Sequence, residues 1–208
     1  MFFKLAKEGK KLVLLSFLIS IITFFIIGFW SMPFWLFFLF NLQFYREPLR
    51  ITSFDVNEVI SPADGKVISV EKIKQNQTEV IKISIFMNVF NVHSNKIPIS
   101  GKIRSINYHQ GKFFNASLDK ASDKNEKNEV IIMTDDGDEF KVVQIAGLIA
   151  RRILCYCKIG DSVITGDKYG FIKFGSRVDL FIPNNFYALV AIGDKVKGGL
   201  TKIAIKHD

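Results

Sequence analysis

Three kinds of residue are scarce in this chain of 208 residues. It has two cysteines, Cys155 and Cys157, spaced two apart. Two cysteines make no disulfide framework, and without a further Cys or His close in sequence they make no zinc site. They read as ordinary strand residues that share one face, in a reducing compartment. Its three histidines, His93, His109 and His207, are scattered, so no metal centre is expected. The third scarcity is local. Residues 12–45 contain no Asp, Glu, Lys or Arg, a run of 34 residues. That excludes a solvated surface segment and fits a membrane.

Within this run, residues 12–30 would form a helix of about 28 Å, close to the thickness of a bilayer's hydrocarbon core. Ser31-Met32-Pro33 interrupts it, and residues 34–45 follow with about 18 Å if helical. Trp30 and Trp35 flank the break, where an aromatic belt would sit. Lys4, Lys7, Lys10 and Lys11 precede the run, and Arg46 and Arg50 follow it. The positive-inside rule then places both ends on the cytoplasmic side. Residues 1–45 are expected to be a helical hairpin that dips into or crosses the membrane. A cleaved signal peptide fits poorly, because the apolar region is too long and no small-x-small site precedes Arg46. The net charge of +8 reads as attraction to an anionic membrane. No aromatic-rich basic motif points to nucleic acid.

Residues 46–208 have a different texture. Short runs rich in Val and Ile alternate with Asp-Gly, Gly-Asp and Asn-rich turns. Strands are expected at 66–73, 79–85, 101–108, 129–134, 139–145, 162–164, 169–174, 177–182, 195–196 and 201–205. Residues 145–156 carry both strand and helix signals. Residues 115–128 are highly polar and read as a mobile surface loop. Gly160-Asp-Ser-Val163 recurs as Gly193-Asp-Lys-Val196. Such tight turns suit hammerhead hairpins of the biotinyl/lipoyl kind. The expected fold is mainly β, a barrel-like or sandwich-like domain behind the helical hairpin.

One dipeptide carries chemistry. Gly175-Ser176 lies between two apolar runs. A serine hydroxyl there can attack the preceding carbonyl and turn the amide into an ester, and β-elimination would leave Ser176 as an N-terminal pyruvoyl group. Glycine suits the site because it tolerates strained backbone angles and leaves the carbonyl open. The attack needs a base and a group to orient it. His93, at a strand end followed by a polar turn, is the candidate base. Asp64, in Ser61-Pro-Ala-Asp-Gly65, is the candidate carboxylate. Asp179 competes, but on a strand it would face away from Ser176.

Ser61-Pro-Ala-Asp-Gly65, Phe90-Asn-Val-His-Ser-Asn-Lys96, Asn115-Ala116 and Phe174-Gly-Ser-Arg-Val-Asp179 occur in this order behind the hydrophobic hairpin. Together they resemble the short phosphatidylserine decarboxylases, over essentially the whole chain. Tyr45-Arg-Glu-Pro48 is similar to that family's boundary between anchor and domain. The resemblance implies a proenzyme cut between Gly175 and Ser176 into a β chain, 1–175, and an α chain, 176–208, that stay together. It implies Asp64, His93 and Ser176 as the self-cleavage triad, and a covalent pyruvate derived from Ser176 as the cofactor. That cofactor would form a Schiff base with phosphatidylserine, release carbon dioxide and yield phosphatidylethanolamine. The implied partners are the phospholipid membrane and its lipid, at the cytoplasmic face of a bacterial inner membrane. A homo-oligomer is left open. Longer members carry a second histidine where this chain has Phe90, and they read Leu-Gly-Ser-Thr where it has Phe-Gly-Ser-Arg. Phe90, Asn115 and Arg177 are the candidates for substrate contact. Arg46, Arg50 and Lys96 are further candidates for attracting an anionic lipid.

Two other readings remain open on sequence alone. One is a membrane-tethered hammerhead binding module without chemistry. The other is a pyruvoyl decarboxylase for a related lipid or a soluble amino acid.

Overall fold

The computed structural model describes residues 3–50, 54–75, 78–112, 114, 116, 124–147, 152–173 and 175–207. The chain divides into two units, Met1–Leu49 and Arg50–Asp208.

In the first unit the charge-free run folds into α1 (Lys10–Ile27) and α2 (Met32–Phe44), joined by a 3₁₀ turn over Gly28–Ser31. The turn comes earlier than Pro33 suggested. Gly28 takes a left-handed φ of 53°, which ends α1, and Pro33 sits in the first turn of α2, where its missing N–H is not needed. The Phe17 ring lies 6.1 Å from Trp35 and 5.1 Å from Phe38, so the helices pack side by side. Strands β1 (Phe3–Leu5) and β2 (Arg46–Pro48) pair antiparallel and tie the open end. The packing is inverted relative to a water-soluble hairpin. Ser16, Ser20 and Asn41 are buried, whereas Leu14, Phe25, Trp30 and Leu36 are exposed. The serine hydroxyls bond back to Val13 O and Ser16 O, which satisfies them within the helix. By length and composition, Lys10–Phe44 can cross a membrane.

The second unit is built from β3 (Glu58–Ile60), β4 (Gly65–Gln75), β5 (Thr78–Met87), β6 (Ser94–Lys96), β7 (Gly101–His109), β8 (Lys127–Met133) and β9 (Glu139–Ile145). The chain continues through β10 (Ile153–Cys155), β11 (Ser162–Val163), β12 (Lys168–Ile172), β13 (Ser176–Pro183), β14 (Phe186–Ala188), β15 (Lys195–Val196) and β16 (Lys202–Lys206). Among the described residues they form an eight-stranded sheet, in the order β11-β7-β8-β9-β13-β5-β4-β15, and two three-stranded sheets, β10-β12-β6 and β14-β16-β3. The mainly β expectation holds. The longer strands match their sequence signals to within a few residues. The short strands β1, β2, β3, β6 and β14 carried no such signal. Ser94-Asn-Lys96 is wholly polar, and only its partner β12 makes it a strand.

The strand orders contain a duplication. Replacing β6 to β12 in turn by β3, β4, β5, β13, β14, β15 and β16 converts one small sheet into the other and one half of the large sheet into its mirror. The details repeat as well. Register shifts fall between Val67 and Ser69 in β4 and between Ile103 and Ser105 in β7. Gly193 N–H donates to Val67 O at 2.8 Å, and Gly160 N–H donates to Ile103 O at 2.8 Å. Asp194 and Asp161 each accept a backbone N–H three residues upstream at 2.8 Å. The recurring Gly-Asp-x-Val is the visible trace of this duplication, and its two copies form the short edge strands at opposite ends of the sheet. One copy, β6–β12, is inserted between the third and fourth strands of the other.

The core lies on one face of the large sheet. Ile83, Ile85, Ile132, Val142, Val178 and Leu180 are fully buried, each contributing roughly 2 kcal/mol. Ser176 shares this face of β13, because alternate residues point the same way. Arg177 and Asp179 occupy the other face and are also buried. Arg177 Nε and Nη2 donate to the two Asp179 oxygens at 2.5 and 3.0 Å, and Nη2 donates to Ser84 Oγ at 2.9 Å.

The polar stretch expected as a mobile loop over 115–128 is corrected at its end. Asn125, Glu126 and Asn128 are buried, because the two asparagine amides find partners inside. Residues 115 and 117–123 lie outside the described residues. Within 145–156, the segment 153–155 is a strand, and 148–151 lie outside the described residues.

A buried charge that loses its partner is expensive. Asp179→Ala should destabilise the domain by about 3–5 kcal/mol, read by urea unfolding. Arg177→Met with Asp179→Leu should recover most of that loss.

Candidate functional site

Four strand ends meet at one place. β4 begins at Gly65, β5 ends at Met87, β6 begins at Ser94 and β13 begins at Ser176. Ser176 is opposite Met87 in the β5–β13 ladder. Its hydroxyl is fully buried and donates to Met87 Sδ at 3.4 Å. Gly175, just before it, has a left-handed φ of 60°. That backbone favours glycine and turns the 175–176 peptide out of strand geometry.

His93 is fully buried immediately before β6. Its carbonyl accepts the Ile172 N–H at 3.3 Å, which ties it to the segment leading into Gly175. Its ring Nδ1 lies 2.9 Å from Asn91 O. A carbonyl only accepts, so Nδ1 carries a proton, and in the neutral ring Nε2 is then the nitrogen with the lone pair. The Asn91 carbonyl is fixed by a tight turn. Asn88 N–H donates to Asn91 Oδ1 at 2.9 Å, and Asn91 N–H donates to Asn88 O at 3.0 Å.

Asp64 closes the loop before β4. The Pro62 carbonyl in this loop accepts the Lys96 N–H at 2.8 Å, so the loop runs along β6. Arg50 grips the Asp64 carboxylate at both oxygens, Nη1 to Oδ1 at 2.5 Å and Nη2 to Oδ2 at 2.8 Å. The Gly198 N–H also donates to Oδ1, at 2.8 Å. Asp64, His93 and Ser176 therefore come to the same end of the sheet, but Asp64 is held by Arg50 and Gly198 while His93 Nδ1 is held by Asn91.

The remaining sequence candidates fall in different places. Phe90 is exposed on the turn that holds His93. Arg177 faces away from Ser176 and is engaged by Asp179 and Ser84. Asn115 lies outside the described residues. Asp179 is on the opposite face from Ser176, as strand alternation requires. The cysteines are free, partly buried and hydrogen-bonded to each other. That bond, from the Cys157 thiol, holds Cys155 down to about 6, and it pushes Cys157 upward.

Sequence reasoning missed the role of Arg50 on Asp64, and it missed Met87, Asn91 and a line of buried amides altogether. Asn95 Nδ2 donates to Met87 Sδ at 3.8 Å, Gln144 Nε2 to Asn95 Oδ1 at 2.9 Å, and Asn128 Nδ2 to Gln144 Oε1 at 3.1 Å. These amides satisfy one another behind Ser176. Gln144, a polar residue between Val143 and Ile145, carried the one local signal; Asn95 and Asn128 have polar neighbours and carried none. Arg50 read as a lipid-facing charge because it follows the apolar run.

A family model described as phosphatidylserine decarboxylase matches residues 37–204. Among curated relatives, the phosphatidylserine decarboxylase proenzyme of Ralstonia nicotianae is 46% identical over 203 residues, covering 96% of this chain and 94% of that protein. The proenzyme of Cupriavidus pinatubonensis is 48% identical over 204 residues, with the same coverage of 96% and 94%. That of Neisseria meningitidis serogroup B is 47% identical over 202 residues, covering 96% of this chain and 76% of the relative. The order of the motifs, the strand ends that gather them and nearly half identity over almost the full length agree, and this chain belongs to the phosphatidylserine decarboxylase family.

Proposed function

We propose that this chain is a proenzyme that cuts itself between Gly175 and Ser176 and then decarboxylates phosphatidylserine at a membrane surface. The observation that carries the reading is the buried Ser176 hydroxyl directly after a glycine at φ 60°, at the end of the sheet that also holds a buried histidine whose Nδ1 faces a carbonyl. The relatives' names, which call them proenzymes, support it.

In this reading His93 Nε2 takes the Ser176 hydroxyl proton as Oγ adds to the Gly175 carbonyl carbon. The C–N bond breaks, the amine is protonated and an ester remains. Loss of the Ser176 Cα proton then expels the Gly175 carboxylate by cleavage of the Cβ–Oγ bond. Water hydrolyses the resulting dehydroalanine end to a pyruvoyl group, with release of ammonia. The site fits such a group. Ser176 is fully enclosed, and its hydroxyl neighbour is a thioether rather than a charge. Once formed, the pyruvoyl group supplies a ketone for the substrate's amine and a sink for the electron pair left as carbon dioxide departs. Asn91 keeps His93 in the tautomer that can move a proton at Nε2. Arg50 and Gly198 fix Asp64 beside β6, and Asp64 orients this end of the site.

The 176–208 segment would stay attached after the cut. β13 pairs with both β5 and β9, β15 with β4 and β16 with β3. The inverted hairpin supports a membrane anchor for residues 1–45, with the domain from residue 46 on the cytoplasmic side. In this reading Phe90, exposed on the turn that precedes His93, is the candidate for lipid contact.

Intact mass of the purified, denatured chain tests the reading. Two fragments are expected, the smaller lighter by one ammonia than a serine-started 176–208 and blocked at its N-terminus. Ser176→Ala should remain a single chain. One uncut species in both would leave the tethered binding module in front. Cleavage that proceeds while decarboxylation needs no lipid would favour the soluble amino-acid substrate.

Arg50→Ala leaves the buried Asp64 carboxylate without its ion-pair partner, so it should destabilise the domain by about 3–5 kcal/mol and, in the folded fraction, slow cleavage by about 100-fold through misplacement of Asp64, scored by urea unfolding and by the rate at which the two fragments appear. His93→Ala should abolish the cut.

A further inference from the structure

The carbonyl that would be attacked has a neighbour with no part in the scheme above. A Cβ built on Gly147 would lie 1.8 Å from Gly175 O, 2.9 Å from the Gly175 carbonyl carbon and 3.3 Å from Ala116 Cβ. The oxygen thus fills the space that any side chain at 147 would occupy. Gly147 has no left-handed φ, so room is the constraint there and conformation is not. Gly175 is the reverse case, with φ 60° and open space where a Cβ would point.

Gly147 cannot easily give way. Its neighbour Ala146 donates to Glu126 O at 2.9 Å. The buried Asn125 amide clamps the same stretch, with Nδ2 donating to Ala146 O at 2.7 Å and to Phe114 O at 2.8 Å. Its Oδ1 accepts the Phe114 N–H at 2.8 Å. Both donor hydrogens of the amide and its oxygen are used, and the end of β9 is pinned where the Gly175 carbonyl rests.

We propose that Gly147 is a positioning residue for chain cleavage, its bare Cα forming the wall that seats the Gly175 carbonyl oxygen. This rests on the self-cleavage reading. As the Ser176 Oγ–carbon bond forms, the carbonyl electron pair moves onto the seated oxygen, and it returns when the C–N bond breaks. The wall fixes the plane of the 175–176 amide and so the angle at which Oγ arrives. A methyl group at 147 rotates that plane, and a displacement of about 1 Å is enough to slow a positioned reaction roughly 100-fold.

Gly147→Ala in the full chain tests this, with Gly101→Ala as control. A Cβ at Gly101 would meet Met133 O at 2.4 Å, a backbone clash of the same kind within the β7–β8 pair. Cleavage is followed by intact mass and folding by thermal unfolding. The expected result is a folded Gly147→Ala chain cut about 100-fold more slowly, while Gly101→Ala loses stability but is cut at the parent rate. Parent-rate cleavage of Gly147→Ala, or equal slowing of both variants, overturns the proposal. If Gly147→Ala does not fold, the uncut Ser176→Ala chain labelled with carbon-13 at glycine provides the test. A through-space magnetic resonance correlation between the Gly175 carbonyl carbon and Gly147 Cα supports the seat, and its absence overturns it. A parent chain that stays uncut sinks the self-cleavage reading instead, and the labelled chain still decides the seat.

Discussion

The ladder between β5 and β13 holds the domain together. It runs through eight registered pairs, from Ser176 with Met87 to Pro183 with Val80. Its core-facing residues, Ile81, Ile83 and Ile85 on one strand and Val178, Leu180 and Ile182 on the other, are buried on the same side. Backbone pairing and burial act along the same line, so the register is strongly specified. A slip of one residue would turn the isoleucines outward and bring Arg177 to the core. Correct register also sets the Ser176 hydroxyl against the Met87 sulfur.

The nested duplication explains why the site lies at that end. In the inner copy the third and fourth strands, β8 and β9, are joined by a tight turn in which Thr134 N–H donates to Asp138 O at 3.0 Å. In the outer copy the corresponding strands, β5 and β13, are separated by the whole inner copy. Its two junctions leave β5 after Met87 and enter β13 at Ser176. His93 stands on the first junction and Gly175 on the second. The chemistry is concentrated where the two halves differ. Elsewhere, as at the paired Gly160 and Gly193 turns, they match.

Much of this was legible in the sequence because the decisive signals were local. Alternating Val and Ile runs marked the long strands, the charge-free stretch marked the hairpin, and ordered motifs marked Asp64, His93 and Ser176. What stayed hidden depends on partners distant in the chain. Ser94-Asn-Lys96 is a strand only because β12 lies beside it. Arg50 reads as a surface cation until Asp64 is placed next to it. Asn125 and Asn128 looked like loop residues because a buried amide and a solvated one are spelled alike. The repeat of Gly-Asp-x-Val was visible, but its meaning required the strand order.

The nesting also has a consequence for timing. Ser176 and Met87 are 89 positions apart, and bringing them together must overcome the entropy of closing the chain between them. Contacts of such long range form late for that reason. A nascent or half-folded chain therefore has no assembled site, and its 175–176 bond is an ordinary peptide. Under the self-cleavage reading the cut is a built-in proofreading step, since only a molecule that has completed its sheet acquires the means to break its own backbone.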